Sequence, residues 1–232
     1  MFHIILYYMK YLELSYFFSV FVQLITLIFQ HAGLTISVEQ KHEPLKKALE
    51  WEYYVSIIEF ATYLWIGAVL YKVNEITPRR YLDWFITTNI LLLTTGMLFI
   101  YEANKENGFK KIQSGTEMIV ENMETFTKIL AGNNLMLLAG FLGETKRINH
   151  FTGLFAGLFF FVFQFYTMYE ELAKKSNFGT DFFVGLVIVW ILYAVAYMTD
   201  SETKNIMYNL LDLVSKNAFG LYLLHRLAQV SL

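Results

Sequence analysis

Seven stretches of this chain are apolar over the length that a helix needs to cross a bilayer, and this constrains the fold more than any other feature. A helix spans the hydrocarbon core with about 20 mostly apolar residues. The candidates run over roughly 9–31, 47–72, 80–102, 117–143, 149–172, 180–199 and 204–230. Between them lie the segments that gather charge, glycine and proline: QHAGLTISVEQKHEPLKK, KVNEITPRR, EANKENGFKKIQSG, GETKRINH, EELAKKSNFGTD and TDSETKN. Seven helices of about 22 residues use most of the 232 positions. The expectation is therefore an all-α membrane protein, one seven-helix domain over 1–232 with short loops. The first residues carry no basic stretch and no small-residue cleavage site, so 9–31 reads as a retained helix.

Composition agrees. Charged residues make up 16% of the chain, against about a quarter in an average globular domain, and the mean hydropathy is +0.42. Both prolines, Pro44 and Pro78, fall between the expected helices. The absence of cysteine removes disulfides, thiolate metal sites and a Cys nucleophile; no metal site and no enzyme activity are expected. A net charge of −2 offers no basic field for nucleic acid. Membrane lipid is the expected surrounding, with homo-oligomerisation left open. Lys and Arg number nine on the loops of one side and seven on the other. That bias points to an extracellular N-terminus in a multi-pass protein of the plasma membrane.

The informative residues are the polar ones inside the spans. Ser15, Ser19, Gln23 and Thr26 share one face of the first helix, by their spacing of three or four. Glu52, Ser56, Glu59 and Tyr63 do so in the second, Arg80, Asp83, Thr87 and Thr94 in the third, and Asn205, Asn209, Asp212 and Lys216 in the seventh. Lipid offers such groups no partner, so the four faces must meet one another or water. Lys216 lies near the middle of its helix, where an ammonium costs about 2.5–3.5 kcal/mol on insertion scales. Asp212 is one turn away, and Asp83 and Arg80 supply a second acid and a second base. Two readings stay open on these residues alone. One is a buried ion-pair cluster that fixes helix packing; the other is an activated amine that forms a Schiff base with an aldehyde.

RRYLDWFITT (79–88) resembles the third-helix signature of microbial rhodopsins, and DLVSKNAFGLYLL (212–224) resembles their seventh helix. WILYAVAY (190–197) is similar to the wall of their pocket, and NNLMLLAG (133–140) to the segment that touches the ring. The resemblance implies all-trans retinal bound covalently to Lys216, with Asp83 and Asp212 as counterions and Arg80 organising charge on the extracellular side. It implies a pocket of Trp84, Thr88, Leu91, Met136, Trp190, Tyr193 and Tyr197. Thr87, one turn from Asp83, is then placed to hydrogen-bond that carboxylate. Thr88 and Asn133 stand where a pair links the third and fourth helices.

Outward proton pumps of this family usually carry a further acid eleven residues past the first, where this chain has Thr94. Channel-forming members, including small viral ones, instead combine a Ser on the first helix, a Glu on the second and an Asn after the lysine. Ser19 (or Ser15), Glu59 and Asn217 match that trio, and Glu52 would attract cations at one mouth of the path. The resemblance thus implies a light-gated cation channel, with a slow outward proton pump or a sensory rhodopsin as the alternatives. Asn89 and Ala194 replace prolines that are usual in the third and sixth helices.

Overall fold

A computed structural model of the chain describes residues 2–231, with side chains from Lys10 onward. The described residues are helical almost throughout. The elements are α1 (Phe2–Gly33), α2 (Glu43–Gly67), α3 (Val73–Glu106), α4 (Gly115–Glu121), α5 (Met123–Glu144), α6 (His150–Glu171), α7 (Asn177–Tyr197), α8 (Ser201–Asp212) and α9 (Phe219–Ala228). Short α4 leads into α5 through Asn122, and α8 passes into α9 through a π turn, Leu213–Ala218, so the helices stand as seven columns. α1 packs on α2 and on the α8–α9 column, which closes a ring, while α3 runs through the middle and touches α2, α5, α7 and α8.

The bundle is inside-out relative to a soluble protein. Phe17, Phe21, Phe155 and Phe159 are more than 60% exposed, whereas Gln23, Glu59 and Asp212 are fully buried. That distribution suits a lipid solvent, in which apolar side chains face outward at no cost and polar ones must turn in. α1, α3, α5, α6 and α7 are long and apolar enough to cross a membrane by length and composition. α2 and the α8–α9 column fall short of that measure. α2 carries Glu52 and Glu59, and the last column is divided by the turn that holds Lys216.

The boundaries differ from the sequence expectation at several points. α3 begins at Val73, so KVNEITPRR is mostly its first two turns and Pro78 lies inside the helix. The missing N–H at Pro78 removes one bond near a helix start, where α3 tolerates it. Pro44 sits in the first turn of α2, a position that needs no N–H. The expected seventh helix, 204–230, is interrupted by the π turn. Its i→i+5 bonding turns both Lys216 (2% exposed) and its neighbour Asn217 (1%) toward the interior.

A close backbone approach joins α5 and α6. A Cβ on Gly153 would lie 2.8 Å from the carbonyl oxygen of Ala139 and 3.1 Å from Cα of Gly143. Small residues let membrane helices touch in this way. Gly153→Val is expected to force the pair apart and cost about 1–3 kcal/mol, read as a lower midpoint of thermal denaturation in detergent.

Candidate functional site

The π turn delivers Lys216 Nζ into a cluster of three acids. It is 2.7 Å from Asp83 Oδ2 on α3, 3.4 Å from Asp212 Oδ1 on α8 and 3.8 Å from Glu59 Oε1 on α2. Arg80, almost fully buried, supplies the second cation and pairs with Asp212 Oδ2 at 3.1 Å. Two cations balance two carboxylates, so Glu59, the most distant acid, is the one left neutral in a balanced cluster. A further buried anion would cost several kcal/mol. Asn217 Nδ2 donates to Glu59 Oε2 at 3.2 Å.

The two carboxylates nearest Lys216 are held differently. Asp212 accepts from Tyr63 and Arg80 on one oxygen, and from Trp84 Nε1 and Tyr193 on the other. Asp83 takes only the lysine, and its Oδ1 has no protein partner. A proton arriving at Asp212 must displace a donor; one arriving at Asp83 Oδ1 displaces nothing. Arg80 itself is fixed by Tyr63, Asn205 and Asn209. The positions of Asn205 and Asn209 on a polar stripe were legible in the sequence, but their grip on Arg80 was not.

Beyond Lys216 lies a cavity enclosed by α3, α5, α6, α7 and α8, and such mostly apolar clefts are where small molecules bind. Trp84, Thr88, Leu91, Met136, Trp190, Tyr193, Tyr197 and Lys216, the residues expected around a ligand, all line it. Tyr208 joins them, stacked on Tyr193 and edge-on to Trp84 at 4.9 Å; nothing in its spacing had marked it. Gly157 also lines the wall, where a Cβ would meet only the Met136 carbonyl oxygen, at 3.7 Å. A mostly apolar slot, rich in aromatic rings, that ends on a buried amine suits a long apolar aldehyde condensed on that amine. The residues therefore fit the retinal that the sequence implied.

Four expected contacts take another form. Thr87 Oγ1 donates to the backbone carbonyl of Asp83 at 3.0 Å, not to its carboxylate, because a helical Thr reaches the carbonyl four residues back most readily. Ser19 does not meet Glu59 and Asn217; it donates to the carbonyl of Asn209 at 3.2 Å, just before the column changes register. Ser15 accepts from Asn209 Nδ2 and so belongs to the Arg80 side. Glu52 is not at a mouth: it is fully buried and accepts from Thr94 Oγ1 at 2.5 Å.

Asn133 donates to Thr88 at 2.8 Å, linking α3 to α5. Asn89, in place of a proline, adds bonds to the Phe85 carbonyl, Asn133 and Asn134. His150, at the start of α6, stacks on Tyr197 with ring centroids 4.1 Å apart. Arg226 pairs with Glu102 and Tyr222 at the far end of the last column; the acid that meets it was not legible in the sequence.

Comparison with known proteins gives one consistent result. The family model described as bacteriorhodopsin-like protein matches residues 11–230. A green-light absorbing proteorhodopsin from Gamma-proteobacterium EBAC31A08 is 23% identical over 186 residues, 72% of this chain and 68% of that protein. The crystal structure of the viral rhodopsin OLPVRII superposes with a TM-score of 0.79 at 27% identity, covering 95% of this chain and 99% of the other. A blue light-absorbing proteorhodopsin from Med12 superposes with a TM-score of 0.72 at 22% identity, over 94% and 97% of the two chains.

The bonding predicts unequal costs for removing charge. Arg80→Leu strips Asp212, Tyr63 and two amides of a buried partner and is expected to cost about 3–5 kcal/mol. Lys111→Ala breaks an exposed pair with Glu121 and is expected to leave stability almost unchanged. Thermal denaturation of the two variants beside the parent protein measures the difference.

Proposed function

The chain belongs to the bacteriorhodopsin-like family, and we propose that this member is a light-gated cation channel. Microbial rhodopsins are integral membrane proteins that bind retinal through a Schiff-base lysine and act as photoreceptors and ion transporters. We assign that lysine to Lys216, the amine at the end of the aromatic cavity, and the bound form to all-trans retinal. When bound, retinal supplies a visible chromophore and a light-driven isomerisation next to Nζ of Lys216. Asp83, 2.7 Å from that nitrogen and with one oxygen free, is the acceptor for its proton. Asp212, saturated with donors, remains the fixed counter-charge together with Arg80.

The observation that carries the channel reading is a buried polar seam between α1, α2 and the last column. Gln23, Thr26 and Gln30 on α1, Glu52 and Glu59 on α2, and Asn217 are each 1% exposed or less and keep polar atoms that make no hydrogen bond within the protein. Buried polar groups nearly always find a partner, in protein or in ordered water, so such a seam is suited to carry water and cations. Glu59 and Asn217 form its constriction beside Lys216. A charge that leaves Nζ acts on Glu59 across 3.8 Å, which couples the light reaction to the constriction. The bias of basic residues supports an outward N-terminus in the plasma membrane. A slow outward proton pump is the second reading, favoured by the Glu52–Thr94 pair on the side of Lys216 away from Arg80.

Expression with all-trans retinal is expected to give a visible absorption band that Lys216→Ala abolishes; a band that survives refutes the assignment. Under voltage clamp, Glu59→Ala is expected to change both the amplitude and the cation selectivity of the photocurrent. Currents indistinguishable from the parent's would remove Glu59 from the path.

A further inference from the structure

We propose that the cleft where α3, α5, α6 and α8 meet at one end of the bundle binds a small anion of the phosphate class, and that Tyr197 carries the anion's charge to the aromatic cavity. The coupling rests on retinal as the occupant of that cavity; the site does not. The cleft is lined by Asn74 at the start of α3, Glu144 and Lys146 around the end of α5, Asn149 and His150 at the start of α6, and Lys204 in the first turn of α8. No member of the Lys216 cluster lines it.

Charge and hydrogen bonding both select an anion. Lys204 is 5% exposed and pairs with Glu144 at 2.8 Å, so the acid in the lining is matched. Lys146 enters no ion pair among the described residues and is left as an unmatched cation. It also holds φ at 58°, the left-handed region that helix ends usually give to glycine, so a lysine is kept there against the preference of the backbone. The lining has donors in excess. Asn149 Oδ1 caps α6 by accepting from Phe151 N at 2.9 Å, and Asn74 Oδ1 accepts from Ser201 Oγ at 2.9 Å. With both amide oxygens engaged, each of these side chains has its N–H donors left to offer. Lys204 spends one of its three donors on Glu144. A ligand that only accepts satisfies such a lining, and a phosphate brings several acceptor oxygens together with the negative charge that Lys146 is missing.

The same lining forms the outer side of the cavity wall. His150 stacks on Tyr197 with ring centroids 4.1 Å apart and planes within 2°, and Lys204 Nζ lies 5.4 Å from the centre of the same Tyr197 ring. Tyr197 in turn lines the cavity. One aromatic ring thus separates the cleft from the slot that ends on Lys216. Gly143 keeps this wall thin, since a Cβ there would collide with Tyr197 Oη. Tyr197 is 4% exposed, so little water screens a charge acting across it. Absorption of light moves positive charge along a protonated retinal Schiff base, and a charge fixed beside the cavity therefore changes the wavelength absorbed.

Isothermal calorimetry reads the site itself, with the retinal-loaded protein in a nonionic detergent titrated with inorganic phosphate at constant ionic strength. Saturable binding is expected, and chloride should not reproduce it. Asn149→Asp keeps a cap on α6 but replaces the amide donors with a carboxylate, and Lys146→Ala removes a side chain that has no ion pair to lose. Each is expected to weaken binding roughly tenfold or more. The visible band is expected to shift as the site fills and to stay fixed in Asn149→Asp. Nanodiscs containing phosphatidic acid separate the two sources of a phosphate. A band already shifted without added phosphate identifies a lipid headgroup as the ligand, and a band that shifts only when phosphate is added identifies the free anion. No saturable phosphate binding together with an unshifted band in phosphatidic acid, or binding unchanged in both variants, overturns the site. Binding without any band shift overturns the coupling through Tyr197. A chain that forms no visible band refutes retinal as the occupant of the cavity, an outcome distinguishable from both because calorimetry needs no pigment.

Discussion

The contact between Lys216 and Asp83, 2.7 Å long in the middle of the bundle, sets the terms for everything around it. An ammonium and a carboxylate that leave water lose several kcal/mol each, and one another's charge repays that only with good geometry and further hydrogen bonds. The surrounding helices supply those bonds. Tyr63, Trp84 and Tyr193 converge on Asp212, and Arg80 balances its charge. Meeting these demands gives α2, α3 and the last column their polar faces. The bundle therefore turns phenylalanines toward lipid and carboxylates toward its axis.

The cluster divides the interior into two unlike halves. On the Arg80 side nearly every donor has an acceptor: Asn205 and Asn209 hold the guanidinium, and Ser15 and Ser19 bind Asn209 in turn. On the Glu52 side, Gln23, Thr26, Gln30 and one oxygen of Glu52 have no protein partner. A saturated network is stiff, because each change in it leaves a buried group unpaired. The unsaturated half keeps polar atoms to share with water. Glu59 sits between the two, close to Lys216 and bound to Asn217.

The columns and their polar faces were legible in the sequence because a helix repeats every 3.6 residues and lipid forces polar residues to one side. The residues around the cavity were legible through the resemblance of their motifs to microbial rhodopsins, with the spacing of Trp190, Tyr193 and Tyr197 placing them on one face of α7. Contacts between helices were not. Which hydroxyl meets which carboxylate depends on the relative height of two columns, and the spacing within one helix does not encode it. Thr87 thus bonds the Asp83 carbonyl of its own helix, Ser19 meets Asn209 in place of Glu59, and Glu52 finds Thr94. The π turn left no trace either, since neither Gly nor Pro marks Leu213–Ala218. Without that turn, Lys216 and Asn217 would point in directions about 100° apart.

In the proposed function light opens a passive path along the seam instead of driving a fixed cycle of proton export. The reversal potential of the photocurrent under an imposed cation gradient tests it most directly. A passive path gives a current that vanishes in symmetric solutions at zero voltage and reverses with the gradient. A permeant monovalent cation should shift the reversal potential by up to about 59 mV for each tenfold change in its concentration. A steady outward current at zero voltage in symmetric solutions, with no reversal as the gradient is inverted, would contradict it.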